Sequence, residues 1–223
     1  NNKLSTFDTE SITGVWKLVV YNQANYAVSI EWELMMNPNG EIRTVKKDGT
    51  GDYTTIQDAI DGSIDADTIL VYPGTYNQNI IIDKDIVIGS LFLITGDTSY
   101  ISSTIIDGAE SSNSRLIILQ NTNPSSFLKL SGLTISNGQG IRVGNSSPEL
   151  SYLRVYGHIA PDGDEGGGIN GHSNSVLTIK NSLIYNNKTA NRAGGGVSLS
   201  GNSKAIIKNS IIVKNEAQKS YAG

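Results

Sequence analysis

The chain has 223 residues, a formal net charge of −4 and no cysteine. This length leaves room for one large or two small domains, and the slight excess of acidic residues predicts no basic surface for nucleic acid or an anionic membrane. The lack of cysteine excludes disulfides, thiol catalysis and cysteine-based metal sites, and no apolar run approaches the roughly 18 residues that span a bilayer. The 24 glycines, with abundant Asn, Ser, Ile and Thr, are typical of a β-rich fold with many turns.

Residues 1–40 differ in pattern from the rest of the chain. Large apolar residues alternate with others in Trp16–Tyr21 and again in Ile30–Met35, as in two antiparallel strands with one buried face. The stretch Gly14–Asn22, followed by Trp32-Glu33-Leu34, resembles the last strands of a β-sandwich of the proprotein-convertase P-domain type. We therefore predict the C-terminal strands of such a sandwich in this segment, with a two-stranded cap on the following domain as the alternative.

A turn at Asn37–Gly40 separates this segment from one predicted short helix. Thr54 or Thr55 can serve as the N-cap of the helix, and apolar residues recur behind it at helical spacing. The stretch Asp48–Ile60, followed by Val71–Tyr76, resembles the opening of pectin-lyase-like right-handed β-helix proteins, pectin methylesterases included. We predict that this short helix covers the open end of the first coil.

Short β-branched or alternating runs between turn residues predict strands downstream. The stretch Ser90–Tyr100, with Thr104–Gly108, resembles a narrower group of large secreted bacterial proteins with β-helix repeats, often built beside sandwich modules and a C-terminal sorting domain. The resemblances imply an all-β fold in which residues 41–223 form the N-terminal cap and first coils of a right-handed parallel β-helix, a solenoid. The predicted strand regions are Thr68–Tyr76, Asn79–Ile82, Ile86–Ile88, Phe127–Ile135, Glu149–Val155, Val176–Ile184 and Lys204–Val213.

The C-terminal part of the chain repeats itself with a 28-residue step. Ile179–Asn187 returns as Ile207–Asn215, and the same step joins Gly166–Ile169 to Gly194–Val197. A fixed period in this range is a signature of a solenoid. By this register the sequence ends at Gly223 inside a Gly-rich turn, and we interpret the chain as an internal piece of a longer protein.

Equivalent residues of stacked coils should form columns, because neighbouring strands lie about 4.8 Å apart. We predict that Asn181 stacks near Asn209 and Asn187 near Asn215, with hydrogen bonds between the side chains at the bends. The interior is predicted to contain Ile179, Ile184, Ile207 and Ile212. The segment Ile159–Glu165 is longer and more polar than a minimal turn, and we predict that it projects as a loop.

The sequence contains no recognisable catalytic constellation. The Gln-Asp-Thr-Leu and Asp-Phe-Ile-Phe-Gly motifs of pectin methylesterases do not occur, and we interpret Asp107 as a turn residue. The Arg-containing and Trp-Ile-Asp-His segments of polysaccharide lyases of this fold do not occur either. His158 and His172 lack the spacing of a metal pair, and we place them in loops or at the edge of a coil.

One acidic cluster is a candidate metal site. Asp162, Asp164 and Glu165 supply three carboxylates within four residues. Such oxygen ligands suit Ca²⁺, which takes six to eight of them. The alternative is a solvated acidic loop.

Three tyrosines are candidate glycan-binding residues. Tyr152, Tyr156 and Tyr185 could form an exposed aromatic strip on which a sugar stacks. Ordinary packing of the rings within a column is the alternative.

The sequence favours a structural, adhesive or glycan-binding segment of a large protein that is secreted or lies on the bacterial cell surface. A polysaccharide or cell-surface glycan is the expected partner, Ca²⁺ is the cofactor considered, and neither nucleic acid nor a membrane span is expected. One alternative is a polysaccharide lyase or pectin-esterase-like enzyme whose catalytic coils lie outside this chain. Another is self-association through the exposed last coil, which would build filaments by strand addition.

Overall fold

A computed structural model of the chain contains two compact units, Asn1–Gly40 and Glu41–Gly223. In the first unit the structure describes the backbone of residues 18–21 and 27–30. Elsewhere it describes residues 40–108, 115–120, 128–160, 166–190 and 194–217, with their side chains.

The first unit contains one antiparallel strand pair, β1 (Leu18–Tyr21) and β2 (Ala27–Ile30), among the residues described. The predicted antiparallel pairing is confirmed, although the second strand begins earlier than expected. Trp32 and most of the predicted second strand lie outside the described residues. The assignment of this unit to a β-sandwich stays a prediction.

The described part of the second unit contains three short helices and many short strands. The helices are α1 (Ile56–Asp61), α2 (Phe92–Thr95) and α3 (Ser99–Ser103). The strands are β3 (Ile42–Val45), β4 (Thr68–Val71), β5 (Gly74–Asn77), β6 (Ile80–Ile82), β7 (Val87–Ser90), β8 (Thr104–Asp107), β9 (Ile117–Gln120), β10 (Lys129–Ser131), β11 (Thr134–Ser136), β12 (Ile141–Gly144), β13 (Glu149–Ser151), β14 (Arg154–Tyr156), β15 (Ile159–Ala160), β16 (Ile169–His172), β17 (Val176–Lys180), β18 (Leu183–Tyr185), β19 (Lys188–Thr189), β20 (Val197–Leu199), β21 (Lys204–Lys208), β22 (Ile211–Val213) and β23 (Glu216–Ala217).

These strands form four parallel sheets. Sheet I has seven strands in the order β21-β17-β13-β10-β7-β4-β3, and sheet II has six in the order β22-β18-β14-β11-β8-β5. Sheet III has five strands in the order β20-β16-β12-β9-β6, and sheet IV has three in the order β15-β19-β23. Each strand pairs with strands from the preceding and following coils, so the chain winds into a parallel β-solenoid of about six turns. The predicted fold class is confirmed.

The 28-residue repeat sets the register between the last coils. Ile179 pairs with Ile207 and Ile184 with Ile212, as the sequence step predicts. Because side chains alternate across a strand, this register keeps the same face of each strand toward the interior. Ile179 and Ile184 are fully buried, whereas Ile207 and Ile212 in the last described coil are each 43% exposed. Of the four predicted interior residues, the two in the coil before the last are therefore buried, and the two in the last described coil are not.

Columns of left-handed backbone bend the chain before and after the later strands of sheet II. Between sheets I and II, residues with φ of 49–70° form the first-bend column, Gly132, Tyr152, Asn181 and Asn209. Directly after the strands of sheet II, residues with φ of 53–72° form the second-bend column, Asn137, Gly157, Asn186 and Lys214. Gly and Asn adopt this conformation most readily. Each residue of the first-bend column divides one predicted strand region into two strands, one in sheet I and one in sheet II.

A ladder of buried amides lies next to the second-bend column. Asn187 Nδ2 donates hydrogen bonds to Asn215 Oδ1 at 3.0 Å and to the Val155 carbonyl oxygen at 3.1 Å. The predicted ladder between Asn187 and Asn215 is confirmed. At the first bend the result differs, because the left-handed backbone directs Asn181 outward and its main-chain N–H donates to the Lys208 carbonyl at 3.1 Å instead. No described hydrogen bond joins the side chains of the asparagines in that column.

Helix α1 covers the first coil, as predicted. The Thr55 hydroxyl accepts the Asp58 N–H at 3.1 Å, which identifies Thr55 as the N-cap. The apolar residues Ile56, Ala59 and Ile60 are buried, and α1 packs against β3, β4 and β6. None of the helices among the described residues is long and apolar enough to cross a membrane.

Helices α2 and α3 form a helical insertion, residues 91–103, between β7 and β8, and the sequence did not predict it. The Thr134 hydroxyl donates to the Ile101 carbonyl at 2.6 Å. The Phe92 ring lies over Gly132, where a Cβ atom would come within 2.8 Å of the Phe92 side chain. Gly132 therefore permits the insertion to pack against the first bend.

Two local predictions are wrong. Ile159 and Ala160 do not belong to a projecting loop, since they form β15 and pair with β19. Asp107 is not in a turn but ends strand β8, where its carboxylate accepts hydrogen bonds from the Ser136 hydroxyl and the Asn137 amide. Both segments form short strands that pair with strands of neighbouring coils. The sequence of one coil alone does not show such pairing.

Candidate functional site

The predicted calcium ligands Asp162, Asp164 and Glu165 lie outside the described residues. Calcium binding by this cluster therefore stays a prediction. Within the described parts of the chain, no group of three or more His, Cys, Asp or Glu residues is placed to hold a metal ion.

Tyr156 and Tyr185 pack against each other on the outer face of sheet II. They are paired in register on β14 and β18, and their ring centroids lie 4.9 Å apart with an angle of 24° between the planes. The ring faces that meet in this stack are covered by each other. The stack therefore covers one face of each ring.

Tyr152 lies apart from this pair, in the first-bend column. Its ring packs on Phe92 with centroids 4.6 Å apart and an angle of 45° between the planes, and 38% of the residue remains exposed. The structure thus places Tyr156 and Tyr185 as a pair at the ends of β14 and β18, and Tyr152 as a separate ring ahead of β14, and not as one continuous strip. Their role in glycan stacking stays a prediction.

The two histidines occupy opposite environments. His158 is fully buried beside the second bend, and its Nδ1 and Nε2 face the carbonyl oxygens of Asn137 and Ile135. Burial lowers the pKa of His158 to about 4, although the two carbonyl contacts act in the opposite direction. His158 therefore lies in the short connection between β14 and β15, as predicted, but its ring is directed into the solenoid interior. His172 ends β16 and is partly exposed on sheet III.

A polar cluster that the sequence did not single out surrounds His172. Gln120, Arg142, His172 and Ser173 line a cavity of about 320 Å³ on the outer face of sheet III. Register aligns Gln120 and His172 with Gly144 on the strand between them. We name these four side chains the sheet III cluster.

Gly144 makes space for the cluster. A Cβ atom at this position would come within 2.6 Å of His172 Cε1 and 2.7 Å of His172 Nε2. The His172 ring therefore lies directly over the glycine. This position brings His172 Nε2 to 2.9 Å from Arg142 Nε.

The hydrogen bonds fix the tautomer of His172. Arg142 Nε always carries a proton, so His172 Nε2 must accept it. The remaining ring nitrogen, Nδ1, then carries the proton of the neutral ring and donates to Ser173 Oγ at 2.8 Å. In this arrangement His172 cannot remove a proton from Ser173, as a catalytic base would have to do. The Ser173 hydroxyl is left to donate its own hydrogen toward the cavity.

The cluster is suited to binding an anionic group. Arg142 is exposed and forms no ion pair with any described residue, and no carboxylate is among the described residues that line the cavity. The contact with His172 uses only Nε, so the two terminal nitrogens of the guanidinium can face a ligand. Guanidinium groups bind carboxylates with paired hydrogen bonds. The Gln120 amide supplies further donors at the opposite end of the cavity.

One signal in the sequence could have revealed this cluster. The 28-residue step aligns Ile141 with Ile169, which are both fully or nearly fully buried. Alternation along the strand then directs Arg142 outward. Gly144 and His172 lie three residues after Ile141 and Ile169, so the same alternation directs them outward as well.

The chain resembles solved structures of one enzyme. A deglycosylated pectin methylesterase from Aspergillus niger has a TM-score of 0.39 and 16% identity, with 84% of this chain and 83% of that chain covered. A penultimately deglycosylated form of the same enzyme gives a TM-score of 0.40 and 15% identity over the same shares. Neither protein-family models nor curated protein sequences match this chain.

Proposed function

We propose that this chain binds an acidic polysaccharide along the outer face of sheet III. The observation that carries the proposal is the exposed Arg142 guanidinium, positioned by His172 in a cavity that contains no described carboxylate. A uronic acid residue carries the carboxylate that such a guanidinium recognises. The Ser173 hydroxyl and the Gln120 amide can bind the hydroxyl groups of the same sugar.

The surface beside the cluster suits an extended sugar chain. Ile81 and Ile118 occupy the same outward column as Arg142 on the two preceding coils, and Ile81 is 45% exposed. Sugar rings present both apolar faces and hydroxyl edges, so a surface with an aliphatic strip beside polar groups complements several consecutive units. The stacked coils keep these groups at fixed spacing, as is favourable for binding a repetitive polymer.

This function fits the expected setting of the protein. A segment that binds acidic glycans would serve adhesion in a protein that is secreted or lies on the bacterial cell surface. The filament alternative receives less support, because α1 packs over β3, β4 and β6 at the first coil. A second copy stacking there would have to displace this helix.

The proposal is tested by measuring binding of purified protein to polygalacturonate by affinity gel electrophoresis, with neutral galactan as the comparison. We expect binding to polygalacturonate that weakens about tenfold or more in Arg142→Gln, because a charge-assisted hydrogen bond contributes about 1.5–3 kcal/mol. Lys208→Gln removes the same charge from the exposed end of β21 in sheet I and should bind as the parent does. Equal binding by parent and Arg142→Gln would refute the proposal.

The same preparation distinguishes binding from catalysis. The tautomer of His172 leaves Ser173 without a base in the described residues, so we expect no methanol release from methyl-esterified pectin. Methanol release that is lost in Ser173→Ala would instead favour the esterase alternative.

A further inference from the structure

A second cavity lies on a different face, between the helical insertion and the outer face of sheet II. It has a volume of about 480 Å³, which falls in the range of clefts that bind small ligands. We name it the insertion groove. Ser102 lines one side, Tyr152 and Asn181 line the other, and Leu183 forms part of the apolar floor.

Tyr152 has a backbone conformation that its residue type does not favour. Its φ is +54°, and the other members of the first-bend column are Gly132, Asn181 and Asn209. A bulky side chain in the left-handed region is strained, whereas Gly and Asn tolerate it. The bend alone therefore does not require an aromatic residue at position 152. Strained residues of this kind concentrate at functional sites.

The packing of Tyr152 shows what the aromatic ring provides. Phe92 contacts the ring with centroids 4.6 Å apart, and Phe92 itself does not line the groove. Phe92 thus supports Tyr152 from behind, while the 38% of Tyr152 that stays exposed contributes to the groove wall. The ring is held in position before any ligand arrives, which reduces the entropic cost of binding.

The polar groups of the groove surround this ring. Asn181 and Asn209 occupy successive coils of the same bend, so their backbones lie about 4.8 Å apart along the solenoid axis. Arg154 is exposed and forms no ion pair with a described residue. Ser102 lines the groove from α3, where its hydroxyl donates to the Ser99 carbonyl at 3.0 Å. An aromatic ring bordered by amides, a guanidinium and a hydroxyl matches a pyranose, whose apolar face stacks on the ring while its hydroxyl groups exchange hydrogen bonds.

We propose that the insertion groove is a saccharide-binding subsite in which a pyranose ring stacks on Tyr152 and its hydroxyl groups bind Asn181, Asn209 and Arg154. This subsite is separate from the sheet III cluster, which lies on another sheet. A chain with two glycan sites on different faces can join two polysaccharide strands, and the gain in avidity follows from holding both sites on one rigid solenoid.

The test uses cellohexaose and mannohexaose, two neutral hexasaccharides that carry no carboxylate for Arg142. Binding to the whole chain is followed by NMR, through the side-chain amide signals of Asn181 and Asn209. We expect at least one hexasaccharide to shift these signals at millimolar concentration, with a dissociation constant below about 10 mM. The absence of such shifts with both probes at about 10 mM would overturn the proposal.

Two variants test the Tyr152 ring and the open volume of the insertion groove separately. Tyr152→Asn gives the bend the residue that the next two coils already have, so it should fold while its affinity falls about tenfold. Ser102→Trp should block the groove from the insertion side without changing the bend. Ser103→Trp is the matched control, because Ser103 is the next exposed residue of α3 and does not line the groove. Binding that survives in both Tyr152→Asn and Ser102→Trp would also overturn the proposal.

Discussion

The two histidines of this chain lie in regions that use the same solenoid in opposite ways. His158 is fully buried beside the second bend, where its main-chain N–H donates to Asn187 Oδ1 at 3.1 Å. His172 lies on the outer face of sheet III, where it accepts a hydrogen bond from Arg142. In the first region the buried polar side chains face partners on the neighbouring coils. In the second region donors remain directed toward solvent.

This difference separates structural from functional polar residues. A buried amide or imidazole between coils must find all its partners in the protein, because an unsatisfied buried group costs about 1–3 kcal/mol. An outward side chain on a rigid coil has no such requirement, so its donors can be kept for a ligand. We therefore expect substitutions in the two regions to affect different measurements, unfolding in the first and binding in the second.

The largest effect is expected for Asn187→Ala. Asn187 is 1% exposed, and its amide serves the Val155 carbonyl, Asn215 Oδ1 and the His158 N–H. Its removal takes this partner from the Val155 carbonyl and the His158 N–H, whereas Asn215 Oδ1 still accepts the main-chain N–H of residue 187. We expect the free energy of unfolding to fall by about 3–4 kcal/mol, measured by urea denaturation followed by circular dichroism.

The neighbouring residue provides the control for that experiment. Asn186 is exposed and has φ of +53°, a conformation that glycine adopts without strain. Asn186→Gly should change the free energy of unfolding by less than about 1 kcal/mol. Equal losses in the two variants would mean that the buried ladder does not distinguish the two regions.

The second prediction concerns pH. Burial lowers the pKa of His158 to about 4, below the value of about 6.5 for an unperturbed histidine. Between these values the unfolded chain binds a proton that the folded chain does not, so stability is full above pH 6.5 and falls as the pH falls toward 4. The loss should reach about 3 kcal/mol at pH 4, as measured by urea denaturation across this range.

A substitution isolates the contribution of this histidine from that of the carboxylates. His158→Asn introduces the residue found at the equivalent position of the next two coils, Asn187 and Asn215. We expect the variant to lose the pH dependence between 6.5 and 4, and to keep whatever dependence the acidic groups cause. An unchanged slope in the variant would show that His158 does not govern acid stability.

The sequence predicts the regular parts of the molecule because they repeat. The 28-residue step was enough to give the register Ile179–Ile207 and the ladder Asn187–Asn215, both of which the structure contains. Helix α1 was predictable for a local reason, since Thr55 caps it and apolar residues follow at helical spacing.

The 28-residue step aligns Gly144 with His172, but the complete candidate site was not predictable in the same way, because Gln120 joins it from a coil of different length. Pairing joins Ile117 to Ile141 over 24 residues but Ile141 to Ile169 over 28 residues. Only this unequal spacing aligns Gln120 and His172 on either side of Gly144. The helical insertion was missed for a related reason, since it depends on the space that Gly132 leaves for Phe92. A repeat in the sequence does not show where a single glycine leaves space for a side chain from another segment.

The third prediction concerns the space at Gly144. Alanine is compatible with the backbone there, but its Cβ atom would come within 2.6 Å of His172 Cε1. Because the ring is at the end of a flexible side chain, we expect it to move away at a cost to folding of at most about 1 kcal/mol. The displaced ring no longer accepts from Arg142 Nε, so affinity for polygalacturonate should fall by about fivefold. An undiminished affinity would show that the position of His172 does not matter for binding.

The smallest effect is expected for His172→Phe, which examines the hydrogen bond alone. Phenylalanine keeps a planar ring over Gly144 but offers no acceptor to Arg142 Nε, so the guanidinium regains rotational freedom. We expect affinity for polygalacturonate to fall by about threefold and the free energy of unfolding to change by less than about 0.5 kcal/mol. Affinity gel electrophoresis and urea denaturation measure the two quantities. A loss of stability without a loss of affinity would place His172 in the same class as His158, because its hydrogen bonds would then serve the fold.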